Sequence, residues 1–225
     1  MIRRAVIACV AALLCTGCGD GSSNDSPNDP SVPVTQGFPL YGPRAHWIDR
    51  VRSGTVTFEA VAVVAVDLNR DGSGDLTLEV RGPTTVFRSA ARATDPSNPG
   101  HRKHLDLEIV SMTLSAEDIE FRAGDGAGNF AADGPLFSIG ASDEIGDDPR
   151  LAYDDFAIYF EGTVAGLSVH NEAPLRMVAH IDRLPPIGNL FTMSGPPLPL
   201  FTEDGHNAGL QITSVNYTPL DPNDE

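Results

Sequence analysis

Hydrophobic and polar residues alternate with a period of two along most of the chain beyond Gly37, the pattern of half-buried strands. It predicts strands at Thr55–Asp67, Asp75–Arg81, Thr84–Arg88, His104–Leu114, Ile119–Arg122, Leu136–Ile139, Phe156–Gly162, Leu175–Arg183 and Gly209–Tyr217. Leu175, Met177, Ala179 and Ile181 fall on one face of their strand, and Arg176, His180 and Asp182 on the other. Phe156, Ile158 and Phe160 alternate likewise with Asp155, Tyr159 and Glu161. Within His104–Leu114 the phase flips: Leu105, Leu107 and Ile109 share one face, Val110, Met112 and Leu114 the opposite one. That predicts a bulge, or a strand covered on both sides. No window of about twelve residues keeps a 3.6-residue period, and the chain carries 22 Gly and 18 Pro. Ser115–Ile119 is expected to open a short turn. Strands without intervening helices predict an all-β fold, an antiparallel β-sandwich with long proline- and glycine-rich loops and little helix. Leu184–Leu200 (LPPIGNLFTMSGPPLPL) reads as an extended loop packed on the core; the alternative is a ligand groove lined with Tyr41, Trp47 and Phe201.

The first eighteen residues break this pattern. Arg3 and Arg4 precede an apolar run from Ala5 to Cys15, and Thr16, Gly17 and Cys18 follow. The run is too short for a bilayer span, which takes ~20 residues, so it reads as an export signal. The CTGC ending resembles the bacterial lipoprotein cleavage box, although Cys15 stands where that box usually has Leu. The resemblance implies a lipidated cysteine at Cys18; secretion after cleavage nearby is the alternative. Gly19–Gln36 is polar and rich in Ser, Asn, Asp and Pro, and reads as a disordered tether with a reach on the order of 25 Å. A single domain is expected over 37–219, followed by a disordered acidic tail over 220–225.

The formal charge is −16, and loss of the leader's two arginines takes it further negative. Such a surface repels nucleic acid and anionic lipid and attracts divalent cations or basic partners. The three cysteines are Cys9, Cys15 and Cys18, so the domain itself has no thiol. Disulfides, thiolate metal sites and cysteine nucleophiles are thereby excluded from it.

The sharpest local motif is Asp67-Leu-Asn69-Arg-Asp71-Gly72-Ser73-Gly-Asp75. Oxygen-bearing side chains at loop positions one, three, five and nine, with a glycine at six, suit a hard cation that takes six to eight oxygen ligands. The spacing resembles calcium loops of the DxDxDG type and makes Asp67, Asn69, Asp71, Ser73 and Asp75 the candidate calcium ligands. Leu78 stands where an EF-hand needs its bidentate Glu, and the flanks are strand-like, so a calcium-binding hairpin is expected. The competing reading is a turn whose Asp, Asn and Gly serve turn geometry only. A second acidic region, Asp143, Glu144, Asp147, Asp148, Asp154 and Asp155, reads as a solvated loop, with completion of a metal site or a carboxylate pair for glycoside hydrolysis as the alternatives. His101 and His104 flank Arg102 and Lys103, but lead into a strand and have no evident metal partner. No GxSxG, HExxH or phosphate-binding glycine loop is present.

The segments HLDLEIVSMTL, AYDDFAIYFEG, APLRMVAHIDRLPPIG and PPLPLF resemble a family of uncharacterised secreted bacterial proteins, many of which end in a PEP-CTERM-type sorting segment. The matching positions are His104, Glu108, Met112, Asp155, Phe156, Glu161, Pro174, Arg176, Met177, Leu184 and Pro185, within Thr55–Thr213. The resemblance implies display outside the cytosol and no particular chemistry. This chain ends in LDPNDE in place of the sorting segment, so an N-terminal lipid would serve the same display. The sequence therefore predicts a lipid-anchored cell-envelope protein at the outer membrane or cell surface, acting as a non-catalytic binding or structural module. A secreted, carboxylate-dependent hydrolase of extracellular polysaccharide is the alternative.

Overall fold

A computed structural model of the chain describes residues 46–94, 97, 102–124, 136–164 and 166–221. The leader, the tether and Tyr41, His101 and Asn223–Glu225 lie outside the described residues. Among the described residues, a 3-10 turn at Trp47–Arg50 is followed by strands. In chain order these are β1 (Gly54–Asp67), β2 (Leu76–Arg88), β3 (Arg92–Ala93), β4 (Lys103–Ala116), β5 (Ile119–Gly124), β6 (Ile139–Ile145) and β7 (Asp148–Ile158). They continue as β8 (Phe160–Val164), β9 (Leu167–His170), β10 (Leu175–Ile181), β11 (Phe191–Met193), β12 (Leu198–Phe201) and β13 (Asn207–Pro219). Among the described residues no helix is long and apolar enough to cross a membrane.

The class is all-β and every pairing is antiparallel, as the alternation predicts. The layers, however, belong to one continuous curved sheet. Strand β13 pairs with β1 from Ala60↔Pro219 to Asp67↔Gln211, which closes the sheet on itself. The circuit runs β1-β2-β4-β6-β7-β10-β11-β13 and back to β1. A second circuit leaves β4 through β5, β8, β9 and β12 and rejoins at β13. The long strands β4 and β13 each serve both circuits with different halves of their length. Closure satisfies edge groups that would otherwise be open to other chains.

Strand β1 supplies the inward row Val56, Phe58, Ala60, Ala62, Val64 and Val66, all buried, with exposed or half-buried residues between them. The phase flip in β4 is a bulge: β2 pairs Thr85 with Ser111 but Val86 with Ile109, so Val110 is the extra residue. Gly124 lies against it with φ 81, and a Cβ there would stand 2.3 Å from the Val110 carbonyl oxygen. The two strands expected around Gly82 and Pro83 are one, β2. Pairing to β4 lapses between Arg81↔Ser115 and Thr84↔Met112, and a residue without an N–H is tolerated where no ladder bond is called for. The proline-rich stretch is not wholly loop, because β11 and β12 lie within it.

Strands β7 and β8 form one run broken only at Tyr159. Two buried side chains splice the break. On one side Ser138 Oγ accepts from Tyr159 N (2.9 Å) and donates to Tyr159 O (3.0 Å). On the other, Asn171 Oδ1 accepts from Phe160 N (2.7 Å), while Nδ2 donates to Ile158 O (2.9 Å) and Ala173 O (2.7 Å). The pair substitutes for ladder bonds where the two circuits separate. Asn171→Ala should therefore destabilise the fold by about 3 kcal/mol and Ser138→Ala by about 1–2 kcal/mol, since each leaves buried backbone groups unpaired. Urea unfolding would measure both, and a loss below about 0.5 kcal/mol for Asn171→Ala would refute the splice.

Candidate functional site: an apolar lumen with one buried acid

The closed sheet encloses a cavity of about 90 Å³. On β1 alone its lining reaches from Val56 to Val64, a rise of about 26 Å at ~3.3 Å per residue. A volume that small spread over that length makes a narrow tube. Valine, leucine, isoleucine, phenylalanine and methionine side chains form most of the wall, and Met112 and Met177 give it unbranched, adaptable sides. From the proline-rich stretch come Leu184, Pro186 and Phe191. Trp47 is buried elsewhere, its indole N–H donating to Arg150 O (3.0 Å), and neither it nor Phe201 lines the tube.

Besides Arg88, three polar groups interrupt the wall. Tyr217 Oη and Thr84 Oγ1 satisfy each other at 2.9 Å. The third, Asp154, is 1% exposed; neither of its carboxyl oxygens, nor the buried Ser142 Oγ opposite, has a partner in hydrogen-bond geometry. Burial drives its pKa up to about 7; Ser142, opposite it across the β6–β7 ladder, draws it back only partly, and the nearby Asp143 charge adds to the rise. Ala179 faces it from β10. Nothing in the wall compensates the charge when the carboxyl ionises.

This acid comes from the region expected to be a solvated acidic loop. That expectation is corrected: the segment is the β6–β7 hairpin, turning at Gly146 and Asp147. Asp154 has the parity of Phe156 and Ile158, so carrying their alternation back one step would have turned it inward. Its polarity suggested a loop instead. The other acids of the hairpin do not converge on it. Asp155 pairs outside with Arg176 (3.0 Å) and Asp148 with Arg150 (2.9 Å). Glu144, 6% exposed, accepts from Lys103 N (3.2 Å) and meets His46 Nδ1 at 2.7 Å. Asp143 contacts His104 Nδ1 at 2.7 Å, and Asp106 contacts Nε2 at 3.0 Å. Burial alone would lower the His104 pKa, but these two carboxylates hold it raised. His104, for which the sequence offered no partner, thus has two. A pair of carboxylates facing one another across a cleft is not formed.

The Asp67–Asp75 segment is the turn joining β1 to β2. Asp67 is fully buried. Its Oδ1 accepts from Asn69 N (3.0 Å) and Arg70 N (2.5 Å), and its Oδ2 from Gly72 N (2.8 Å) and Gln211 Nε2 (2.8 Å). Burial works to raise its pKa, and these hydrogen bonds outweigh it and hold the carboxyl at about 2. Asn69 Oδ1 accepts from Asp71 N (2.9 Å), Asp71 from the Ser73 amide (2.8 Å) and hydroxyl, and Asp75 Oδ2 from Leu68 N (2.9 Å). Gly72 supplies the left-handed backbone that the turn requires, with φ 91. The five candidate calcium ligands thus share one turn and mostly accept from its own amides. Among the described residues no group of three or more His, Cys, Asp and Glu side chains is placed to hold a metal ion.

A pH dependence follows from Asp154. Its carboxyl keeps its proton to about pH 7 in the fold but loses it near 3.8 when unfolded. Stability from this group is complete below pH 3.8, falls as pH rises towards 7, and is level above, a change on the order of 4 kcal/mol. Asp154→Asn should remove this component of the pH profile and be more stable than the native chain at pH 8. Superimposable urea profiles of the two chains from pH 4 to 8 would contradict the assignment.

No protein-family model matches the chain, and no sequence among curated proteins matches it. Among solved structures, that of DynF, from the dynemicin biosynthesis pathway of Micromonospora chersina, is similar with a TM-score of 0.63. The identity is 16%, and the match covers 91% of this chain and 96% of DynF. At that identity the likeness shows the fold alone: this chain shares the architecture of DynF over almost the full length of both.

Proposed function

We propose that the protein is an exported, lipid-tethered binding module that holds a slender, mainly apolar small molecule inside its closed sheet and performs no chemistry on it. One observation carries the reading: a small, mainly apolar cavity inside the closed sheet is lined by residues spread along β1 and contains a single acid that no side chain of the lining satisfies. A purely structural core gains nothing from an unpaired carboxyl, whereas ligand sites combine apolar walls with a few uncompensated polar groups. The volume is below that of the ~150 Å³ apolar cavity that admits benzene, so a linear occupant enters only as the lining, Met112 and Met177 above all, gives way. The likeness to DynF, a protein of a biosynthetic pathway, is in keeping with a small-molecule occupant. The polysaccharide hydrolase draws support from no observation, since Asp143, Glu144, Asp148 and Asp155 are each engaged by a basic neighbour and none is paired with Asp154 across a cleft.

Anchorage at Cys18 rests on the leader and the polar tether that follows it. Export with an N-terminal lipid places the native chain in the membrane fraction, and Cys18→Ser moves it to the soluble exported fraction. A soluble native chain would end the anchor reading.

Calorimetric titration of the purified Cys18→Ser chain with 1-octanol tests the lumen. Binding with a negative heat-capacity change is expected, because apolar surface is buried. Ala62→Leu, which fills the tube at its wall, should abolish the binding at a stability cost of about 1–3 kcal/mol. Absence of binding to the unfilled chain, or equal binding to the filled one, would overturn the reading.

A further inference from the structure

The unsatisfied carboxyl also specifies the polar end of the occupant. Asp154 opens onto the tube, and its immediate neighbours across the ladders are Ser142 on β6 and Ala179 on β10. Neither brings a positive charge. The one basic residue of the lining, Arg88, stands at the end of β2 and donates Nε–H to Arg52 O at 3.2 Å, and it is not among the charges that act on Asp154. Tyr217 and Thr84 are spent on each other. An ionised carboxylate in such surroundings has lost its hydration and gained no counter-charge. Either a proton or a cation carried in by the ligand must supply it. An ammonium does so with charge-assisted hydrogen bonds to a carboxylate whose one polar neighbour, the Ser142 hydroxyl, fills at most one of its acceptor sites.

Two further observations favour the cation. The whole chain is strongly acidic, at −16, so its field draws cationic amphiphiles to the protein and turns anionic ones away. A carboxylate-bearing chain would moreover set a second negative charge beside Asp154. The tube is long and narrow, which suits an unbranched chain and excludes a hydrated inorganic ion.

Resting on the lumen reading above, we propose that the occupant is a linear aliphatic amine, its chain along the apolar tube and its ammonium on the carboxylate of Asp154. The reading is confined to recognition, and no bond is made or broken.

The test compares octylamine, 1-octanol and octanoate by calorimetry with the purified Cys18→Ser chain at pH 8, where the amine is protonated. Octylamine should bind at least tenfold more tightly than octanol, and octanoate most weakly. Asp154→Asn, which preserves shape and removes a buried charge, should bring octylamine to the level of octanol measured on the same variant. Equal affinities for amine and alcohol, a tighter alcohol, or an amine preference that survives Asp154→Asn would each overturn the amine assignment while leaving the lumen in place. Failure of all three ligands would overturn the lumen itself, and the amine with it.

Discussion

Closure of the sheet by β13 against β1 is the constraint from which the remaining features follow. Once the two strands pair from Ala60↔Pro219 to Asp67↔Gln211, the sheet has a true inside, and the pleat assigns every second residue of each long strand to it. The inward row of β1, the flip at Val110 and the parity of Asp154 become parts of one arrangement. The interior has to be filled by short branched side chains and a few rings. They fill it incompletely, and what is left is the tube.

The fold class was legible because alternation is a local signal, and it survives in β1, β4 and β10 almost residue for residue. The bulge was legible for the same reason, as a change of phase within one run. Closure was not, since nothing in the sequence of β13 names β1 as its partner. The splice at Tyr159 was equally hidden. Ser138 acts on backbone groups 21 positions away and Asn171 on groups 11 and 13 positions away, and a lone Ser or Asn between strands looks like ordinary turn chemistry. The misreading of the β6–β7 hairpin has a different origin. Six acids within a short stretch outweighed the period-two pattern, although three of them, Asp143, Asp148 and Asp155, are held in strands by His104, Arg150 and Arg176.

Asp154 shows how a local rule is broken at one point and kept elsewhere. Buried acids in this chain are otherwise satisfied or at least paired: Asp67 by four donors, Glu144 by His46 and the Lys103 amide, Glu161 by Arg122 at 2.9 Å. The contrast between Asp67, held near 2, and Asp154, pushed to about 7, is a contrast of surroundings and not of residue type. A turn rich in amide donors favours the anion; a wall of hydrocarbon favours the proton. Local departures of this kind are where a function most often resides.

The pairing of the first long strand with the last also fixes the order in which the chain can mature. Until β13 has been delivered, the valine-rich β1 presents one unprotected row of backbone amides and carbonyls, and the hydrocarbon interior stays open to water. Pairings between segments so far apart in sequence assemble slowly, and a nascent edge of this composition invites association with other chains. Without thiols in the domain, no covalent bond holds a half-built state together before the thirteen-residue β13 arrives.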